Sequence, residues 1–259
     1  DRALAYAKER LDDKQDALIL TLDLRSFFYS VHIPKTNFNA ILDMKSQYLL
    51  PSWVPRVHEF VYQVLERYSK KVHSINKDPE LILGKRIFLP IGFLPSNILS
   101  NWVLTPFDEA ICQRFNPVYY GRYVDDIIIV DKVEKNSPLR KMAQGKSEDH
   151  SKLTVQDVIA HYFCSCLSGK ETDHCCQNAL FEPLNYEEMT PDQKKAYKAA
   201  QEKETKKPSP FIVYRINTDV LPENGSESIS SDIQIQNDKV KVFYRSEEHT
   251  SELQSHLNL

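Results

Sequence analysis

The chain has 259 residues, 41% of them hydrophobic and 27% charged, and a net charge of −3. That suits an ordinary globular protein of one or two domains. No run approaches the roughly 20 apolar residues of a membrane span, and the near-neutral total carries no global basicity that would advertise nucleic acid, although a basic groove can hide inside it. Five cysteines, an odd number, with no secretion signal point to a reducing, cytoplasmic location and no membrane partner. The chain opens on Asp1-Arg2-Ala3 without a Met, as a fragment lacking its natural N-terminus would.

Residues 1–16 are charged and Ala-rich and read as a helix. Ala17 to Leu24 form a nearly unbroken apolar run, a buried strand interrupted near its end by Asp23. A carboxylate there is costly unless it is paired, protonated or bound to metal. Residues 35–75 look helical, interrupted by Pro51 and Pro55. Val57, Phe60, Val61, Val64, Leu65 and Tyr68 mark the stripe expected to face the core. Residues 87–97 form a Pro-Gly-Pro loop in a chain with 6 glycines, so Gly92 should carry unusual dihedrals or a close backbone approach. Ser96 is the expected N-cap of the next helix. That helix buries Leu99, Trp102, Val103, Phe107, Ala110 and Ile111, and is expected to kink or break at Pro106.

Tyr119-Tyr120-Gly121-Arg122-Tyr123-Val124-Asp125-Asp126-Ile127-Ile128-Ile129-Val130 follows. Strand, acidic tip, strand is the natural reading. An Asp-Asp β-turn would explain the pair taken alone. Adjacent aspartates repel, however, and a divalent cation is the usual reason to place them together. Beyond it, residues 131–231 are polar, with a helix near Pro191–Lys203 and a strand at Phe211–Ile216. Ile233-Gln234-Ile235 and Val240 to Tyr244 alternate like the arms of a hairpin turning at Asn237-Asp238.

Asp23, Asp125 and Asp126, with a Gly-Pro loop between them, suit a site for two Mg²⁺ ions. In order and spacing the chain resembles the palm of reverse transcriptases. Leu22 to Val31 resembles motif A, Leu89 to Asn101 motif B, and Tyr123-Val124-Asp125-Asp126 the Y-x-D-D of motif C. Gln236 to Val242 is a weaker match to motif D. The resemblance implies an α+β polymerase right hand, an antiparallel sheet packed on helices with partial fingers, and RNA-directed DNA synthesis. Asp23, Asp125 and Asp126 would then be the metal ligands and catalytic carboxylates, for Mg²⁺ or alternatively Mn²⁺. Lys239 would approach the pyrophosphate as a general acid. Phe28 would be the ring that excludes a 2′-hydroxyl. Leu24, Pro90, Gly92, Ser96 and Tyr123 would join Phe28 around the nucleotide and template. Implied partners are an RNA template, a DNA or RNA primer and dNTPs, with a non-coding RNA or a protein as other primers.

There are departures. Ile91 stands where the family's Leu-Pro-Gln-Gly has Gln. Fingers motifs upstream and a thumb downstream are absent, and the gap between motifs C and D is long. Leu-Pro-Ile-Gly and the long insertion look closer to bacterial abortive-infection and unknown-group reverse transcriptases, with retrons and group II introns as neighbours, and phage defence as a setting. Some such relatives make DNA without a template or from a protein primer, which is one alternative. A catalytically inactive palm that only binds nucleic acid is another. The expected division is palm and partial fingers over 1–130, an insertion over 131–231, the motif D-like hairpin over 232–244, and a non-native tail over 245–259 that resembles a translated sequencing adapter. His161, Cys164, Cys166 and Cys175 could bind Zn²⁺, but C-x-C then H-C-C is not a standard finger spacing, and small buried hydrophobes are the preferred reading.

Overall fold

A computed structural model of the chain describes residues 5, 16–34, 37–39, 51–75, 86–133, 180–202, 213–217, 233–236 and 239–245. The Zn²⁺ candidates His161, Cys164, Cys166 and Cys175, the Asn237-Asp238 turn and residues 246–259 lie outside them, as does the expected 1–16 helix apart from residue 5, which is helical, and Asp16, which begins a strand instead. In chain order the elements are β1 (Asp16–Asp23), α1 (Phe27–Ser30), β2 (His32–Pro34), α2 (Val54–Ile75), β3 (Arg86–Phe88), α3 (Leu94–Phe115), β4 (Tyr119–Tyr123), β5 (Asp126–Val133), β6 (Phe181–Pro183), α4 (Pro191–Glu202), β7 (Tyr214–Ile216) and β8 (Lys241–Arg245). Helices accompany antiparallel strand pairs, so the class is α+β. The chain divides into two compact units. One comprises Asp1–Leu24, Ala110–Tyr214 and Ile235–Leu259; the other comprises Arg25–Glu109 and Arg215–Gln234.

The first unit holds a four-stranded sheet in the order β4-β5-β1-β8. Its centre is the apolar run expected as a strand. Leu18, Leu20 and Leu22 are buried on one face, with Ile127 and Ile129 beside them on β5. The alternate positions Thr21 and Ile128 are only half-buried and face one another in register. One face is therefore core and the other is partly open, as period-2 alternation requires. β5 leaves one cost on record. Burial pushes the Asp131 carboxyl up to about 6, although the Lys132 N–H donates to it. The folded form thus binds more protons than the unfolded one between its ordinary 3.8 and about 6. Stability gained from this group is complete below the ordinary value and is lost as pH rises through about 6. Asp131→Asn should therefore stabilise the chain at pH 8, by at most about 3 kcal/mol. The gain should shrink on acidification and vanish near pH 4 (roughly the unfolded carboxyl's range). Urea unfolding at the two pH values measures it.

Among the described residues, the two arms of the expected hairpin pair with the β1 segment rather than with each other. Ile235 bridges Leu24, and β8 runs antiparallel to β1 with Lys241 opposite Thr21. Both stretches follow the chain of β1 and Leu24. The register sum differs by three between the two pairings, so this edge carries three residues more than the stretch of β1 it follows, as a bulged edge does. Arg245 is the last residue of β8 and pairs with Ala17.

A satellite of the same unit starts at Leu184, whose N–H donates to the Val213 carbonyl. Thr190-Pro191-Asp192-Gln193 starts α4 with a capping box. The Thr190 N–H donates to Gln193 Oε1 at 2.9 Å, and the Gln193 N–H donates back to Thr190 Oγ1 at 3.4 Å. Leu184, Met189 and Val213 form its small core, flanked by Tyr186 and Tyr197.

In the second unit, α2 corrects the sequence pattern. Its buried residues are Tyr62, Leu65 and Ser69, whereas Val57 and Phe60 are exposed. The buried face is set by its partners. Phe38 stacks on His58 at 4.1 Å and packs against Tyr62, and the Phe88 N–H donates to Ser69 Oγ at 2.8 Å. Ser69 in turn donates to the Leu65 carbonyl. A hydroxyl that satisfies a buried strand amide belongs inside. Ser69→Ala removes this hydrogen bond and should lose about 0.5–1.5 kcal/mol in a denaturant titration.

The loop before α3 is a turn in which the Phe93 N–H donates to the Pro90 carbonyl, with Gly92 at φ +82°. That is the third position of a type II turn, which wants glycine. A Cβ at Gly92 would meet nothing within 4 Å, so the dihedral rather than crowding requires it. α3 then runs unbroken through Pro106. It buries Leu99, Val103, Phe107 and Ile111 as expected, and Leu104 in addition. Ser96 is not its N-cap. The helix starts at Leu94, so Ser96 lies inside the first turn, fully buried, its hydroxyl without a hydrogen-bond partner among the described residues.

Candidate active site

Register assembles the carboxylates. Asp23 is the last residue of β1 and Asp126 the first of β5, and the two are directly paired. Tyr123 faces Asp126 from β4. The side chains of one pleat face therefore include Asp23, Asp126 and Tyr123. Asp126 belongs to the strand rather than the tip, and the turn consists of Val124 and Asp125. Val124 has φ +59°, and it is the one turn residue in that region. This is the sign pattern of a type II′ hairpin turn, whose first position favours glycine. Holding a β-branched residue there costs about 1–3 kcal/mol. Two hydrogen bonds fix the turn. Arg122 Nη1 donates to the Val124 carbonyl at 3.0 Å, and the Leu24 N–H donates to the Asp125 carbonyl at 3.1 Å.

Asp23 is only 9% exposed. Lys239 Nζ donates to Asp23 Oδ2 at 2.9 Å. The edge-strand bulge delivers this lysine. The Gln236 N–H donates to the Asp23 carbonyl, and the Lys239 N–H donates to the Gln236 carbonyl. Asp23 thus anchors the base of the bulge with its backbone and receives its ammonium with its side chain. The Lys239 ammonium is pushed up, first by that hydrogen bond. Partial burial pushes the Asp126 carboxyl up, with the negative charges of Asp125 and Asp23 adding to it and Lys239 pulling back.

A cavity of about 710 Å³ opens over this face, lined by Thr21, Asp23, Gly121, Asp126, Lys239 and Lys241 among others. Tyr119 also lines it. A Cβ at Gly121 would stand 2.6 Å from the Tyr119 hydroxyl, so the absent side chain gives the phenol ring its place. Tyr123 is 80% exposed at the rim. Arg122, Tyr119 and Lys241 were not expected site residues. Lys241 could have been flagged by its two-residue spacing from Lys239, whereas Arg122 carried no signal, because the turn position of Val124 appears only in the structure.

Of the expected site residues, Asp23, Asp125, Asp126, Lys239 and Tyr123 come together in the first unit. Leu24 is there too, but its side chain is buried and its N–H is taken by Asp125, so it holds the turn. Phe28, Pro90, Gly92 and Ser96 belong to the second unit. There the Phe28 ring lies 5.9 Å from that of Phe27 in α1. Among the described residues, no three His, Cys, Asp or Glu side chains converge to hold a metal by themselves. Two facing carboxylates with a third beside them nevertheless match what Mg²⁺ takes when water and substrate phosphates complete its shell.

No family model matches the chain, and no solved structure matches it. Among curated proteins it is similar to the Retron Ec73 reverse transcriptase of Escherichia coli, 28% identical over 142 residues. The alignment takes in 53% of this chain and 42% of that protein, so the chain spans less than half of the relative's length. Among the described residues, no helix is long and apolar enough to cross a membrane.

Proposed function

We propose that the chain is the catalytic palm of an RNA-directed DNA polymerase of the bacterial reverse transcriptase type. The observation that carries this reading is the direct pairing of Asp23 with Asp126 on the open face of the sheet, with Asp125 in the adjoining turn. These three residues would hold Mg²⁺. Bound there, Mg²⁺ supplies the positive charge that lowers the pKa of an attacking 3′-hydroxyl and steadies the leaving pyrophosphate. Lys239 would donate a proton or a charge-assisted hydrogen bond to the pyrophosphate once it leaves Asp23. Tyr123 offers an exposed ring to a nucleic-acid strand. Phe28 is the proposed sugar gate, and Pro90, Gly92 and Ser96 belong to the loop and helix start proposed to shape the nucleotide site.

The test uses a full-length protein carrying this chain, with labelled dNTPs, Mg²⁺ and a primed RNA template. Template-dependent DNA that Asp125→Ala abolishes supports the reading. Equal product without any template replaces it with untemplated synthesis. No product from either, with nucleic acid still bound, leaves a binding palm.

A further inference from the structure

We infer that Arg122 is a positioning residue whose guanidinium clamps the Val124–Asp125 turn in its strained form and so presents the Asp125 carboxylate beside Asp126. The purpose of the clamp rests on the metal-site reading above; the clamp itself rests on geometry alone. A two-residue turn must place φ > 0 at its first position to match the twist of its strands, and glycine is the residue that does so freely. This chain has Val124 there, at φ +59°. Such a conformation persists only when the surroundings over-determine it. Here both turn carbonyls are tied from outside the hairpin ladder. Arg122 Nη1 holds the Val124 carbonyl at 3.0 Å and the Leu24 N–H holds the Asp125 carbonyl at 3.1 Å.

The two ties differ in kind. Leu24 continues β1, the strand that carries Asp23, so its bond fixes the turn to the other half of the site. Arg122 acts from within β4, two residues from the carbonyl it holds, where a short polar side chain would not reach. Releasing Arg122 frees the Val124 peptide to rotate out of the left-handed region. The Asp125 peptide follows it, and the carboxylate moves relative to Asp126. Asp126 and Asp23 stay in place, because ladder pairing holds them.

The test is a mutant cycle in the 259-residue chain: wild type, Arg122→Ala, Val124→Gly, the double variant, and Asp125→Asn. Two readouts are taken, Mn²⁺ affinity by electron paramagnetic resonance and hydrogen exchange at the Leu24 amide. Arg122→Ala should weaken Mn²⁺ binding about 10-fold, the usual scale for a residue that orients a ligand, and speed Leu24 exchange about 10-fold. With Gly at 124 the strain is gone, so adding Arg122→Ala should change either readout by less than about 3-fold. A merely structural or long-range charge role would give the same loss in both backgrounds, and that result overturns the inference. So does Arg122→Ala with unchanged Leu24 exchange. If Asp125→Asn binds Mn²⁺ as well as wild type while Arg122→Ala still speeds Leu24 exchange only in the Val124 background, the clamp stands and the metal reading fails.

Discussion

Asp23→Asn in a full-length protein carrying this chain is expected to reduce DNA synthesis by at least about 10³-fold, equivalent to about 4 kcal/mol of barrier. The amide has nearly the shape of the carboxylate and sits at the end of β1, so the strand should survive. What is lost is charge. Asp23 is the most enclosed of the three carboxylates and the one that Lys239 contacts. Its register partner Asp126 would face an amide and a lysine without a full counter-ion. The measurement is single-turnover primer extension, paired with a thermal unfolding curve to confirm the fold. Asp126→Asn should match it within about 10-fold, because the pair shares one site. A stable Asp23→Asn protein retaining a tenth of the wild-type rate (roughly 1.4 kcal/mol of barrier) would place the chemistry elsewhere.

Lys239→Met is expected to move two quantities in opposite directions. Its ammonium lies 2.9 Å from Asp23 Oδ2, an oxygen the proposed ion needs. Removing it leaves that oxygen free, so Mn²⁺ should bind the substrate-free chain more tightly, about 10-fold for a contact of this kind. Turnover should nevertheless fall about 10²-fold, the lower end for a lost general acid. Lys239→Arg keeps the ion pair and should leave Mn²⁺ affinity near wild type. Lys241→Met is the charge control. It removes the same charge from the same cavity without breaking the ion pair, and should shift Mn²⁺ affinity by less than about 3-fold. Equal tightening by both methionine variants would mean that only the general field of the cavity matters. A looser Lys239→Met site would mean that the lysine supports the ion rather than yielding to it.

Local chemistry made much of this readable in the residues. The Leu18 to Leu22 run ended where its carboxylate appeared, the Asp pair followed a β-forming flank, and Pro90-Ile91-Gly92 announced a turn with positive φ. Each depends on neighbours within a few residues. What was hidden depends on partners far along the chain. α2 buries Tyr62 and Ser69 rather than Val57 and Phe60, because Phe38 and the Phe88 amide meet it on that side. β8 pairs with β1 across more than 200 residues, and no local alternation can distinguish that from a hairpin. Lys239 is placed by the same long-range pairing, so its contact with Asp23 carries no sequence signal. Val124 shows the converse. The hairpin was evident from its flanks, but the strain inside it appears only in the dihedral, with Arg122 beside it.

The most direct test of the carboxylate site needs neither template nor primer. Mn²⁺ is titrated into the 259-residue chain and followed by electron paramagnetic resonance, with Asp23→Asn and Asp126→Asn as companions. Saturable binding that each substitution weakens at least about 10-fold is the expected result. A wild-type chain that binds no Mn²⁺, or one whose binding survives both substitutions unchanged, would mean that Asp23 and Asp126 face one another for a reason other than a metal ion.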